Sequence, residues 1–182
     1  MTEKEILEII ENDENMMKII KVASSLNLPD WMIGAGFIRN KIWDYLSGNK
    51  EDGFKTADID LSYYDAKGND EEADKMLSEK MEKETGIEWE IVNEFYANKW
   101  NNLPKYKSTE DAISQWPETV TALGITLDKD NTLHLIAPYG ISDLINFIVR
   151  PTPVFENKKD VIIARIEKKK WKERWPKIHI IF

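Results

Sequence analysis

Trp31-Met32-Ile33-Gly34-Ala35-Gly36-Phe37-Ile38-Arg39-Asn40-Lys41-Ile42-Trp43-Asp44-Tyr45-Leu46-Ser47-Gly48, followed across a loop by Asp58-Ile59-Asp60-Leu61-Ser62-Tyr63, is the stretch on which the reading of this chain turns. Trp31-Met32-Ile33 is a short apolar run with the character of a buried strand. Gly34-Ala35-Gly36 reads as a turn, and the spacing from Phe37 to Leu46 predicts a helix. Ile38, Ile42, Tyr45 and Leu46 share one of its faces, and Ser47-Gly48 stops it. A strand that runs through a glycine turn into a helix N-terminus receives anions. Glycine admits a phosphate close to the backbone, and the free N–H groups of the first helical turn point at it. Arg39 and Asn40, just inside the helix, either reach that phosphate or serve as a salt bridge and a cap.

Across the loop, polar and apolar residues alternate strictly, which is strand periodicity. Asp58, Asp60 and Ser62 therefore project from one face, and Ile59, Leu61 and Tyr63 from the other. Neighbouring carboxylates repel each other, and a cation is their natural compensation. Mg²⁺, which favours a few carboxylate oxygens together with substrate phosphates, suits them best.

The order of glycine turn, helix and D-x-D strand resembles the DNA polymerase β-type nucleotidyltransferase superfamily. More narrowly, six segments look like a bacterial nucleotidyltransferase-like family of unassigned role. They are G-A-G-F-I-R-N (34–40), A-D-I-D-L-S-Y-Y-D (57–65), W-E-I-V-N (89–93), S-T-E-D-A-I-S-Q-W-P-E-T (108–119), I-A-P-Y-G-I-S-D-L (136–144) and K-K-W-K-E-R-W-P (169–176). The resemblance runs from about Leu28 to the C-terminus.

It implies an α+β domain in which a small, mixed, mostly antiparallel sheet carries the acidic site and helices pack on its other face. It also implies a third carboxylate on a later strand. Glu88 and Glu90 both suit, and Glu90, inside W-E-I-V-N, is the better match. By this resemblance Gly34, Ala35, Gly36, Arg39 and Asn40 contact the phosphates of an NTP substrate. Asp58, Asp60 and Glu90 then hold Mg²⁺ while a nucleoside monophosphate passes to the hydroxyl of a small molecule, protein or RNA. Ala35 departs from the pattern, since many active members carry serine there. The competing expectation is a nucleotide- or partner-binding module that keeps the scaffold without turnover.

At 182 residues the chain is expected to form one domain. Residues 1–27 read as N-terminal helices, 28–93 as the core motifs, and 94–182 as helices, a hairpin and a terminal strand. With 25 basic against 33 acidic residues the net charge is −8. That disfavours a broad grip on nucleic acid, so no DNA partner is expected. Without cysteine, disulfides and Cys-ligated zinc are excluded. No apolar run reaches membrane-spanning length, and a cytoplasmic protein without membrane contact is expected.

Elsewhere the pattern predicts a Thr2–Glu5 capping box and a helix that restarts or kinks at Asn12-Asp13. It further predicts an acidic helix over Asp70–Glu84, a strand over Ile87–Asn93 and a helix capped by Ser108. A short helix is expected from Pro117 to Gly124, and a hairpin through Asp128-Lys129-Asp130-Asn131. Trp100, Tyr106 and the donors near them, Asn102 included, are candidate ligand contacts. A helix over Ser142–Val149 and a basic one over Glu156–Arg174 follow. The basic face of the last is a candidate RNA patch, although a solvated surface explains it more simply. His134 and His179 fall on polar strand faces without a nucleophile beside them.

Overall fold

The computed structural model describes residues 1–49, 58–68, 70–101 and 103–182. Most of the loop between Gly48 and Asp58, and Asn102, lie outside them. Thr2 and Glu5 form the reciprocal capping box that starts α1 (Glu3–Glu11). Asp13 then accepts from the Asn15 and Met16 N–H groups and starts α2 (Glu14–Ser25). Of the restart or kink expected at Asn12-Asp13, the restart is what occurs.

After α2 come β1 (Met32–Gly34), α3 (Gly36–Ser47), β2 (Ile59–Tyr63), α4 (Glu71–Thr85) and β3 (Trp89–Asn93). Two short helices, α5 (Glu94–Ala97) and α6 (Thr109–Ile113), precede the hairpin of β4 (Gly124–Leu127) and β5 (Leu133–Ile136). The sheet order is β3-β2-β1-β4-β5. Within this sheet, among the described residues, only β2 and β3 run parallel, and a parallel neighbour needs a crossover, which α4 supplies. The sheet is therefore mixed and mostly antiparallel.

Alternation divides its faces. Ile33, Leu61, Ile91 and Ile125 stand side by side in register and join the core with Ile6, Ile10, Ile19 and Ile20 from the first two helices. Asp60, Ser62 and Glu90 point the other way. Asp74 fastens α4 to the sheet by accepting from the Tyr63 hydroxyl (2.6 Å) and the Asn93 N–H (2.7 Å).

Four expectations change. Tyr45 is 60% exposed, and the inward residue of that turn is Trp43, fully buried against Trp171 and Trp175. No helix runs from Pro117 to Gly124. Turns there let Glu118 bridge to Pro151 and Thr152 reach Trp116, so tertiary pairing outweighs the favourable helix start at proline. The helix at Ser142 is only α7 (Ser142–Ile145), because Phe147, at φ +55°, turns the chain into β6 (Ile148–Val149). That strand pairs in parallel with β7 (His179–Ile180). The basic helix divides at Lys170, at φ +52°, into α8 (Lys159–Lys168) and α9 (Trp171–Arg174).

Candidate active site

Asp60 and Glu90 are partners in the parallel β2–β3 register, and Asp58 lies two residues back on the same face. Asp58, Asp60 and Glu90 each present an oxygen, all within 4.8 Å of one another. Glu88 stands outside this group. Burial, reinforced by Asp58 and Glu90, pushes the Asp60 carboxyl up from 3.8 to about 7, with Lys169 and Arg39 pulling it down. Three hard oxygen donors in one patch, one of them resisting ionisation, fit a divalent cation such as Mg²⁺.

A cleft of about 480 Å³ opens over these carboxylates. The β1–β2 register pairs Ile33 with Leu61, so Gly34 follows beside Asp60. Gly34 is buried beneath the Trp116 indole. A Cβ there would come within 2.6 Å of the ring and 3.0 Å of the Leu123 carbonyl oxygen, so close packing is what demands glycine. Ala35 lines the cleft at φ +52°, ψ −119°, its N–H held by the Leu123 carbonyl. Gly36, Arg39 and Asn40 line an adjoining recess of about 230 Å³ that also meets Asp58 and Asp60.

Arg39 is 2% exposed. Its guanidinium donates to Thr121 Oγ1 (2.9 Å) and Asn40 Oδ1 (3.0 Å) and lies 4.1 Å from the centre of the Trp171 ring. Among the described residues its Nε has no hydrogen-bond partner. Burial brings Arg39 down from 12.5 to about 10, and the Glu118 carboxylate opposes this. Asn40 therefore orients Arg39 rather than capping α3.

Around the cleft, sequence reasoning passed over Glu118 and Glu94 and placed Arg165 and Lys169 only within the basic helix face. Arg165, on α8, donates through Nε to fully buried Glu118 (2.8 Å), which also accepts from Thr121. With Lys169 and Arg39 it gives the cleft a basic wall. Glu94, at the start of α5, is buried, lines the cleft and accepts from the Ser62 hydroxyl at 2.7 Å. Burial pushes its carboxyl from 4.5 up to about 7 against that hydrogen bond, with Glu90 adding to the rise. The even spacing of Glu90, Val92 and Glu94 was the available signal, but Glu94 sits past the strand pattern. Trp100 and Tyr106 also line the cleft. His134 is exposed and paired with Asp128 (2.8 Å), and neither histidine lines the cleft.

A mixed sheet with three converging carboxylates, flanked by a strand–turn–helix, is the architecture of polymerase β-type nucleotidyltransferases. Residues 21–180 match the nucleotidyltransferase family, and the chain belongs to it. No curated protein matches the chain. A structure solved by NMR and described as revealing a CCA-adding enzyme head domain is 33% identical, with a TM-score of 0.87. The match covers 99% of this chain and 96% of that one. A CCA-adding enzyme in complex with CTP is 16% identical (TM-score 0.61), and the Thermotoga maritima CCA-adding enzyme complexed with tRNA is 16% identical (TM-score 0.62). These share the fold over 98% and 97% of this chain but only 43% and 42% of their own lengths. Among the described residues no helix is long and apolar enough to cross a membrane.

Proposed function

We propose that the chain is a Mg²⁺-dependent nucleotidyltransferase that moves a nucleoside monophosphate from an NTP to a hydroxyl acceptor. The observation that carries this is the convergence of Asp58, Asp60 and Glu90 within 4.8 Å beside a basic wall. Bound to these carboxylates, Mg²⁺ supplies Lewis-acid stabilisation of the phosphoryl group and of the departing pyrophosphate.

Everything else falls to the chain. The turn through Gly34, Ala35 and Gly36, with Arg39, Arg165 and Lys169, holds the β- and γ-phosphates. Stacking on Trp171 and the bonds to Thr121 and Asn40 fix the Arg39 fork before substrate arrives, so its position costs little at the reacting moment. Trp116 closes the cleft above β1. The acceptor hydroxyl attacks the α-phosphorus, pyrophosphate leaves with the bonding electron pair, and the hydroxyl proton goes to water. Positioning and charge neutralisation lower the barrier, with no protein nucleophile.

The double substitution Asp58→Asn with Asp60→Asn is expected to abolish saturable divalent-cation binding and reduce pyrophosphate release at least about 10³-fold. Undiminished release by this variant would exclude the proposal. A second reading, a binding module without turnover, is favoured by one observation: Ala35 offers no hydroxyl to phosphate. Saturable Mg²⁺-NTP binding without pyrophosphate release against a cell extract would select it.

A further inference from the structure

The two ends of the cleft differ in chemistry, and the difference bears on the acceptor. Along β2 the glycine turn lies beside Asp60, whereas Ser62 and the buried Glu94 lie further toward the C-terminal ends of β2 and β3. The carboxylate group therefore separates a phosphate end from a Glu94 end. Phosphoryl transfer proceeds in line, with the attacking and leaving oxygens on opposite sides of phosphorus. If pyrophosphate departs toward Arg39 and Lys169, the acceptor enters from the Glu94 end.

That end is built for a cation. Glu94 is 5% exposed and uses Oε1 for Ser62, and among the described residues Oε2 has no hydrogen-bond partner. Tyr106, 7% exposed, lines the cleft with a hydroxyl that has no hydrogen-bond partner among the described residues. Trp100, 55% exposed, adds an indole at the rim. A buried carboxylate, a phenol and an indole that line one cleft offer an ammonium group charge-assisted hydrogen bonds and cation–π contact.

We infer that the acceptor is a hydroxyl compound bearing a protonated amine, bound by Glu94, Tyr106 and Trp100. This rests on the nucleotidyltransferase reading and names its substrate class. Transfer joins the acceptor oxygen to the α-phosphorus, breaks the bond from that phosphorus to the pyrophosphate oxygen and releases the hydroxyl proton to water. A polyanionic acceptor such as an RNA 3′ end would instead meet Glu90 and Glu94 as like charges.

The test uses the full chain, a pool of hydroxyl-bearing amines (aminosugars, aminocyclitols and amino alcohols), the same pool N-acetylated, and a tRNA lacking its 3′ CCA. Binding is followed by tryptophan fluorescence, and turnover by pyrophosphate release with Mg²⁺ and each NTP. At least one amine is expected to bind and its N-acetyl form not. Glu94→Gln should weaken that amine about 30-fold or more while leaving Mg²⁺-NTP affinity within about twofold. Tyr106→Phe, which keeps the ring, should weaken it by a smaller factor. Failure of every amine to bind, or turnover with tRNA that Glu94→Gln leaves intact, would overturn the inference. Amine binding that depends on Glu94, in a chain that never binds Mg²⁺-NTP, would instead uphold the receptor and defeat the nucleotidyl-transfer reading.

Discussion

At Ala35 the backbone adopts φ +52°, a conformation a residue with a Cβ holds at a cost of about 1–3 kcal/mol. Leu123 holds it there, and its side chain lines the cleft. Ala35→Ser should bring a hydroxyl to the phosphate end and tighten Mg²⁺-NTP binding about tenfold, as a hydrogen bond to a charged group would. Isothermal titration checks this, and unchanged affinity would mean the phosphates do not pass Ala35. Gly34→Ala has the opposite character. Its Cβ would strike the Trp116 ring, so a loss of about 1–3 kcal/mol is expected in denaturant unfolding.

Asp60 and Glu94 make stability depend on pH. Both carboxyls are raised to about 7 in the folded protein, above the 3.8 and 4.5 of ordinary aspartate and glutamate. Between those values the folded chain binds more protons than the unfolded one, so stability falls as pH rises. The contribution is fully present below about pH 4 and lost above about pH 7. In chelator, the melting temperature should drop by several degrees from pH 5 to pH 8, and Asp60→Asn should flatten the drop. A melting temperature that rises over this interval in chelator would refute it.

Among the elements, β2 and β3 decide the site. Only their parallel pairing sets Asp60 opposite Glu90; an antiparallel pair would reverse the register and part them. The divided C-terminal helix matters next. Lys170 at φ +52° ends α8 in the manner of a left-handed cap, which glycine occupies without strain. Lys170→Gly should therefore raise stability by about 1 kcal/mol, seen as a melting temperature a few degrees higher. Lys170→Pro should lower it, because the Lys170 N–H is bonded to the Glu167 carbonyl. The break also turns Trp171 inward while Arg165 on α8 and Lys169 just after it line the cleft.

Over the whole molecule, the C-terminal segment and the N-terminal half share one aromatic core. Trp43 on α3 packs at 5.0 Å from Trp175, 5.8 Å from Trp171 and 5.8 Å from Phe147. Asp44 accepts from Arg174 Nη2 (2.9 Å) and the Trp175 indole (2.8 Å). Arg39 is held between this core and the cleft. Trp171→Ala should cost about 3–5 kcal/mol of stability and also weaken Mg²⁺-NTP binding, since the surface beneath the guanidinium is removed. Urea unfolding and nucleotide titration of the same variant separate the two effects.

Local patterns were legible wherever a segment's own residues set its structure. The Thr2–Glu5 box, the Ser108 cap, the Asp58–Ser62 alternation and the Asp128–Asn131 turn all act over a few residues. The sheet class followed from them, together with the resemblance of the glycine turn and D-x-D strand. Contacts between distant segments were not legible. Arg165 meets Glu118 and Trp171 covers Arg39 only after folding, and a basic helix read alone looks solvated. The stop at Phe147 and the break at Lys170 likewise arise where β-pairing and tryptophan burial outweigh helix propensity. The sequence by itself determined which faces are polar and where carboxylates stand along each strand, because alternation and capping are short-range. The tertiary structure alone decided which glutamate joins Asp58 and Asp60 and what lines the cleft opposite them, because strand order and register depend on burying the entire core at once.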